Sequence, residues 1–302
     1  MRWAVVGPAV VAVALAMAAP AVASRSSADQ PSAVRHVTLT FVDETRPTDD
    51  PEGIRSASER TLVAEVWFPK GKGRHPLVVL AHGNAGHPLK LTQMLSAWAA
   101  AGYVVAAPAF PLTNDRSGGP SIIADYRQQP GDVSVTITRL LRADQRRRSP
   151  LRARIDRDHI GVAGFSLGGA TLYGLAAEPC CRDRRIDATI FMDAIRLPFD
   201  GDRRPPVRGP VMFIHIDGDV ATPYAGTVEQ FRRATPPKYL MTLTEGVHFE
   251  PFEDAVSPHD DAVTAATTDF WDAYLKDERG AARRIVTDGT EPALSTVEAV
   301  RR

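Results

Sequence analysis

From residue 76 onward, short apolar runs alternate with segments of helical periodicity, and this alternation restricts the chain to few folds. Continuous apolar runs such as PLVVLA are typical of strands that are buried on both faces of a parallel sheet. The predicted strands cover 76–82, 103–108, 159–165, 187–193, 210–217 and 239–245. The predicted helices cover 90–101, 130–143, 166–177, 224–234 and 260–277. The pattern therefore predicts an α/β fold in which helices cover both faces of a mostly parallel sheet.

Two earlier strands are predicted at 37–42 and 62–68, where polar and apolar residues alternate as they do in half-buried strands. These two strands suit an antiparallel edge of the same sheet. We expect residues 37–277 to form one domain, preceded at 24–36 by a flexible leader of small and polar residues. The last segment, 278–302, is charged with few apolar residues, and the sequence leaves open whether it is a short helix or a frayed tail.

Residues 1–23 have the three parts of a secretory signal peptide. One basic residue, Arg2, precedes an apolar run that ends in the small-residue site AVA at 21–23. A membrane anchor is the alternative interpretation, but Pro20 ends an apolar core that is short for a bilayer span. We expect cleavage after Ala23, a secreted mature protein, and no stable membrane insertion after cleavage.

Charge and cysteine content narrow the function classes. The chain has 36 basic and 36 acidic residues, and removal of Arg2 leaves 35 against 36. A nearly neutral chain has no long-range field that attracts nucleic acid, so no nucleic-acid partner is expected. The two cysteines, Cys180 and Cys181, are adjacent, and a mutual disulfide, two free thiols and a bond to another chain all stay open. No His or Cys cluster accompanies them, so we expect no metal, and the oligomeric state is not defined by the sequence.

The pentapeptide Gly164-Phe165-Ser166-Leu167-Gly168 lies between a predicted buried strand and a predicted helix. A sharp strand-to-helix turn pushes the side chain of its central residue out of the sheet, and it needs glycines two positions away on either side. The helix N-terminus also directs free N–H groups toward an anion that develops there. A glycine-rich bend with a capping serine is the alternative, but such a bend requires none of these features. We therefore predict that Ser166 is a nucleophile.

A serine nucleophile needs a base that takes its proton and an acid that orients the base, and in this architecture both follow it in the chain. His248 follows the last predicted parallel strand in a loop, and we predict that it is the base. Asp219, after the penultimate strand, is the predicted acid, with Asp217 and Asp193 as reserves. The other histidines precede strands, lie inside a strand, begin the final helix or come too early: His36, His75, His82, His87, His159, His215 and His259.

A tetrahedral intermediate of acyl transfer also needs two hydrogen-bond donors for its oxyanion. The first predicted donor is the backbone N–H of Leu167, the residue after the nucleophile. The second should come from the loop after the first buried strand, AHGNAGHPLK. A sharp turn at His82 and Gly83 favours the backbone N–H of Asn84.

Four motifs, AHGNAG, GFSLGG, DGDVATP and EGVHFEPF, occur in this order at suitable spacings. With them the chain resembles the α/β-hydrolase superfamily, and within it the dienelactone-hydrolase-like, platelet-activating-factor-acetylhydrolase-like and bacterial cutinase-like serine esterases. The resemblance covers most of 37–277 and implies a nucleophile at Ser166, an acid at Asp219, a base at His248 and an oxyanion residue at Asn84. It implies no metal or organic cofactor.

The chain departs from the cutinase-like enzymes at two positions that shape the substrate site. Those enzymes usually have an aromatic residue where this chain has Asn84, and a tryptophan near the position of Ile195. The segment AIRLPFDGDRRPPVRG is too short for a helical lid, and residues 109–129 are the expected wall of an open, partly apolar cleft.

We therefore expect a secreted carboxylic ester hydrolase that acts on short- to medium-chain, small-molecule or lipid-like esters through an acyl-enzyme. Alternatives with the same triad are a lipid acetylhydrolase, a polyester hydrolase and an acyltransferase. An alternative of another class is an inactive hydrolase fold that serves as a binding protein.

Overall fold

One nine-stranded sheet organises the residues that this computed structural model describes, 33–201 and 203–302. The strands are β1 Val34–Asp43, β2 Arg60–Pro69, β3 His75–Ala81, β4 Val104–Ala109, β5 Ile155–Phe165, β6 Ala188–Met192, β7 Val211–Ile216, β8 Lys238–Leu243 and β9 Ser295–Val300. The α-helices are α1 Thr92–Ala100, α2 Gln129–Gln145, α3 Leu167–Ala176, α4 Tyr224–Arg233, α5 Asp260–Leu275 and α6 Ala281–Asp288. Short 3-10 helices cover Pro88–Leu91 and Ile123–Arg127.

The strand order is β1-β2-β4-β3-β5-β6-β7-β8-β9. Neighbouring strands among β3 to β8 are parallel, whereas β2 is antiparallel to both β1 and β4. This mostly parallel sheet with helices on both faces confirms the predicted α/β-hydrolase fold class, including the antiparallel edge. The carboxyl ends of the parallel strands meet at one edge of the sheet, which is where sites form in such folds.

The sheet is buried on both faces because the central strands have apolar side chains in both directions. In β3, Val78 and Leu80 pack in the cluster that includes Trp98 of α1, whereas Leu77 and Val79 pack in the opposite cluster. All four of these β3 side chains are fully buried. The first cluster also takes side chains from α5 and α6, and the second takes side chains from α2, α3 and α4.

The ends of the described chain differ from the expected pattern. β1 begins at Val34, so the predicted leader 24–36 was too long at its end. The sequence did not show this start because the neighbouring residues Arg35 and His36 are both exposed, which breaks the alternation of polar and apolar residues. Residues 1–32, which include the predicted signal peptide, lie outside the described residues. The segment 278–302 contains α6 and also β9, a strand that the sequence did not predict and that pairs antiparallel with β8.

Cys180 and Cys181 are joined in a vicinal disulfide, one of the three states that the sequence left open. Among the described residues, no helix has both the length and the apolar character needed to cross a bilayer.

Candidate active site

Ser166 lies at the junction of β5 and α3 with φ 53° and ψ −116°. A side chain at this positive φ is disfavoured, so the surrounding structure must impose the conformation. The N–H of Ser166 donates to the carbonyl of Met192 at 2.9 Å, and the Ser166 carbonyl accepts from the N–H of Gly169 at 2.9 Å. Both hydrogen bonds hold the turn between β5, β6 and α3.

The glycines of the motif are required by close packing. A Cβ on Gly168 would lie 2.1 Å from the carbonyl oxygen of Ala81, and a Cβ on Gly164 would lie 2.5 Å from the Gly168 oxygen. A Cβ on Gly169 would lie 2.2 Å from the Cβ of Ala194. Small residues therefore allow the start of α3 to press against the ends of β3 and β6, which fixes where Ser166 lies.

Gly168→Ala should lower the free energy of unfolding by about 3 kcal/mol, since the clash is with backbone and overpacking has costs of this order. Urea denaturation followed by circular dichroism measures the change. Gly226→Ala is the matched control, because Gly226 lies in α4 and an added Cβ there has no heavy atom within 4 Å. An unchanged urea midpoint for Gly168→Ala would contradict the packing argument.

His248 connects Ser166 to Asp219. Its Nε2 lies 2.8 Å from Ser166 Oγ, and its Nδ1 lies 2.6 Å from Asp219 Oδ2. The ring of Phe165 lies beside the imidazole, with 5.0 Å between ring centroids. The structure thus brings the predicted nucleophile, base and acid together from the ends of β5, β8 and β7. In chemical terms, a hydroxyl, an imidazole and a carboxylate in this order can pass a proton away from the hydroxyl.

Asp219 is buried and held by its own loop. Its Oδ1 accepts from the N–H of Ala221 at 2.7 Å and of Thr222 at 3.3 Å, and its Oδ2 accepts from Thr222 Oγ1 at 2.5 Å. Burial opposes ionisation, but the hydrogen bonds from Thr222 and His248 outweigh it and lower the pKa of Asp219. The carboxyl therefore stays ionised at neutral pH and orients His248.

The two reserve acids differ in position. Asp217 is exposed and has no hydrogen bond to His248. Asp193 is fully buried, with Oδ2 3.6 Å from His248 Nδ1 and Oδ1 accepting from the N–H of Ile216 at 2.9 Å. Ligand atoms of Asp193, Asp219 and His248 lie within 4.8 Å of one another. Because both ring nitrogens of His248 already contact Asp219 and Ser166, the geometry fits a hydrogen-bonded acid–base chain better than a metal site.

Burial raises the pKa of Asp193 to about 8, the Ile216 N–H opposes this shift, and the charge of Asp219 adds to it. Asp193 therefore binds a proton in the folded protein at pH values where it is ionised in the unfolded chain. The contribution of Asp193 to the free energy of unfolding is fully present below its ordinary pKa of 3.8, and it is lost as the pH rises toward the raised value of about 8.

Relative to Asp193→Asn, the wild type should therefore lose up to about 1.4 kcal/mol of unfolding free energy per pH unit across this range. Urea unfolding of both proteins between pH 4 and 8 measures the difference, and a difference that does not vary with pH would contradict the assignment.

The loop after β3 passes over Ser166. A Cβ on Gly83 would lie 3.2 Å from the Ser166 Cβ. Within the described chain, the N–H groups of Asn84 and Leu167 donate to no protein acceptor. The Asn84 side chain instead accepts from Ser121 Oγ at 2.5 Å, in the predicted wall loop. Leu167 follows Ser166 directly and Asn84 follows Gly83, so both stay the predicted oxyanion donors.

His82, which the sequence set aside because it comes too early, supports this loop. It is fully buried, its Nε2 accepts from the N–H of Phe110 at 3.1 Å, and its Nδ1 donates to the Gly83 carbonyl at 2.7 Å. Burial lowers the pKa of His82 to about 4, so the ring stays neutral. The sequence does show an apolar strand that ends in His82 and Gly83. The supporting role of His82 could not be predicted from it, because that role depends on Phe110, which follows the neighbouring strand β4.

The predicted wall loop, 109–129, packs against the segment that follows β6. Tyr126 and Leu167 pack with the partly buried Ile195, Leu197 and Phe199. The Tyr126 and Phe199 rings meet edge to face at 5.2 Å. The described residues between β6 and β7 contain no helix, which agrees with the expected lack of a helical lid. Within the predicted wall segment 109–129, Phe110 and Leu112 are buried in the core, whereas Ile123 is half exposed.

The comparisons with known proteins agree with this architecture. Residues 131–254 match the model of the family described as platelet-activating factor acetylhydrolase, isoform II. Over 109 residues the chain is 31% identical to a bis(hydroxyethyl) terephthalate hydrolase of Streptomyces coelicolor. The chain belongs to the α/β-hydrolase superfamily. The aligned region covers 34% of this α/β-hydrolase and 32% of the Streptomyces protein, so the chain spans about a third of the relative's length. The matched family segment contains Ser166, Asp219 and His248.

Proposed function

We propose that this α/β-hydrolase is a secreted carboxylic ester hydrolase with Ser166 as nucleophile, His248 as base and Asp219 as acid. One observation carries the proposal: Ser166, His248 and Asp219 form an unbroken hydrogen-bonded chain of 2.8 and 2.6 Å that begins on a strained turn. A serine that only capped α3 would need no base, and Ser166 makes no side-chain capping hydrogen bond.

The reaction follows from this geometry. His248 takes the proton of Ser166 Oγ as the oxygen attacks the ester carbonyl, and Asp219 stabilises the imidazolium that forms. The N–H groups of Asn84 and Leu167 receive the negative charge that develops on the carbonyl oxygen. Proton return to the leaving alcohol gives the acyl-enzyme, and water attacks it by the same route in reverse.

Asn84→Ala tests whether the oxyanion donor is backbone. The N–H survives this substitution, so kcat should fall by less than the 100-fold or more that loss of an oxyanion donor typically costs. Hydrolysis of p-nitrophenyl acetate under saturating substrate measures it. Ser121→Ala, which removes the hydrogen bond to the Asn84 side chain, controls for loop distortion. A loss of several hundred-fold in Asn84→Ala alone would assign the role to the side chain.

The side chains next to Asp219 and His248 favour an apolar ester of short to medium acyl length as the substrate. Val220 is 98% exposed beside Asp219, and Val247 and Phe249, which flank His248, are about half exposed. Such side chains at the rim of a lidless cleft offer contact area without enclosing a long chain. A series of p-nitrophenyl esters of rising acyl length should peak in kcat/KM at short or medium chains, whereas a maximum at long chains would contradict this substrate class.

Two narrower activities are supported by the relatives. The family model favours removal of an acetyl group from a lipid, and the Streptomyces relative favours a small terephthalate ester. Ile195 and Asn84 leave the cleft without the two aromatic side chains that would clamp a flat ring, which favours the lipid ester. Chromatography of products from an acetylated phospholipid and from bis(hydroxyethyl) terephthalate distinguishes the two. Product formation with an added alcohol acceptor would instead identify an acyltransferase.

Secretion is part of the proposal and rests on the signal-peptide pattern of residues 1–23. Mass spectrometry of the protein recovered from culture medium should find Ser24 at the N-terminus. Retention of the intact N-terminus inside cells would contradict it.

A further inference from the structure

A groove beside the edge strand β1 is lined by residues that the proposed reaction does not use. Its volume is about 520 Å³, within the range of pockets that hold small organic ligands, roughly 300–1,000 Å³. One side is formed by the second half of β1 and Glu44, and the other by the second half of α2 and the turn that follows it. The residues that line it are all distinct from the triad, the loop after β3 and the wall segment 109–129.

The floor of the groove is apolar. Leu39 and Phe41 of β1 are half-buried and pack against the core cluster on the α2 side of the sheet, as does Ala143 of α2. Side chains two positions apart in a strand point to the same face, so Leu39 and Phe41 lie side by side. Because β1 is the outermost strand of the described sheet, both side chains keep part of their surface open to an apolar ligand.

Four arginines surround this floor: Arg139, Arg142, Arg146 and Arg148. Arg139 and Arg142 are three residues apart and therefore lie on one side of α2, and the other two come from the turn after the helix. Arg139 Nη2 donates to the carbonyl of Val42 at 2.6 Å. Arg142, Arg146 and Arg148 are exposed, so their guanidinium groups are accessible to a ligand in the groove.

The acids near the groove do not neutralise these arginines. Asp43 pairs with Arg46 at 2.6 Å, and Asp144 pairs with Arg74 at 3.1 Å. Glu44 is exposed at the rim, and in the part of the chain that the structure describes it forms no ion pair with the four arginines. The groove therefore combines an apolar floor with an excess of positive charge, which suits a molecule that has an apolar body and an anionic head.

We propose that this groove binds the anion of a medium-chain carboxylic acid, with the acyl chain on Leu39 and Phe41 and the carboxylate on Arg142 and Arg146. A guanidinium group donates two parallel hydrogen bonds to a carboxylate, which gives arginine an advantage over lysine at such a site. The amphiphilic anion is argued from the lining of the groove. The choice of a carboxylate rests on the proposed function, because hydrolysis of an ester releases one.

A membrane surface fits the groove less well than a single molecule. A protein that inserts into the boundary of a bilayer presents protruding apolar side chains. Here Leu39 and Phe41 are half-buried, whereas Arg142 and Arg146 are exposed, so the apolar floor is recessed between charged side chains. A ligand that reaches the floor must enter the groove.

Isothermal titration calorimetry of decanoate into Ser166→Ala tests the groove without turnover. Decanoate at submicellar concentration should bind, whereas acetate, which lacks the chain, and decyltrimethylammonium, which carries the opposite charge, should bind at least about tenfold more weakly. A decanoate analogue with a photoreactive diazirine on its chain should label residues within 39–44 or 139–150. This labelling needs no change in the groove, so a misfolded groove variant would not mask the outcome.

Arg142→Glu/Arg146→Glu should weaken decanoate binding by about 100-fold, because loss of each charge-assisted contact costs about tenfold. Arg232→Glu/Arg283→Glu is the matched control, since both residues are exposed arginines outside the groove and the change in net charge is the same. The control should keep the affinity of the parent protein. Circular dichroism checks that both variants are folded.

Two results would overturn the inference: equal affinity of the groove variant and its control, or photolabelling confined to the residues around Ser166. Ester hydrolysis by the wild type is a separate measurement and separates the two proposals. An active wild type whose decanoate binding survives Arg142→Glu/Arg146→Glu overturns only the groove. An inactive wild type whose groove binds decanoate overturns only the proposed function.

Discussion

Ser166→Ala should lower kcat for p-nitrophenyl acetate by about 10⁶ while the protein stays folded. Losses of this order follow removal of the nucleophile from a serine triad, because no other group can form the acyl-enzyme. The Oγ of Ser166 contacts His248 at 2.8 Å and makes no cap to α3, so its removal costs the fold little. Initial rates, with circular dichroism to check the fold, measure both expectations.

Ser121→Ala is the matched control for that variant. Ser121 is another serine near the cleft, and its hydroxyl donates to the side chain of Asn84 rather than to His248. We expect a change of no more than a few-fold, which is small beside the effect at Ser166. If Ser166→Ala retained more than about a thousandth of the wild-type kcat, the nucleophile would have to be another group.

His248→Gln should cause a loss of the same order as Ser166→Ala, and the double variant should be no worse than either single one. The reason is that base and nucleophile act as a unit, so removing the second after the first costs little more. Rates of the three variants under saturating substrate test this non-additivity. Losses that multiply in the double variant would show that Ser166 and His248 act separately.

His159→Gln is the control for this series. His159 lies in the first half of β5, away from the carboxyl edge of the sheet, and contacts Asp156 at 2.8 Å. It should keep nearly wild-type kcat.

The sheet and the Ser166 turn were predictable because their signals are local. Central strands such as β3 are buried on both faces, so they have continuous apolar runs. The glycines around Ser166 are required by contacts within the turn and with the next strand, and the sequence records them as a short motif.

Other elements were not predictable, because their stability comes from neighbours distant in sequence. The strand β9, STVEAV, has no apolar run, and after the buried Ser295 its residues are exposed or half-buried. It forms because β8 offers a free edge. His82 has its role through Phe110, the first residue after β4. The sequence offered Asp193 as an alternative acid only because it follows a predicted strand. Its burial and its distance to His248 could not be predicted, because they arise where β6, β7 and the His248 loop meet.

Labelling with a fluorophosphonate tests the proposed nucleophile most directly, because the reagent bonds only to a serine that a base activates. Wild-type protein should take up one equivalent, and peptide mapping should place the adduct on Ser166, while Ser166→Ala and His248→Gln remain unlabelled. No labelling of the wild type, or equal labelling of Ser166→Ala, would contradict a serine hydrolase built on Ser166, His248 and Asp219.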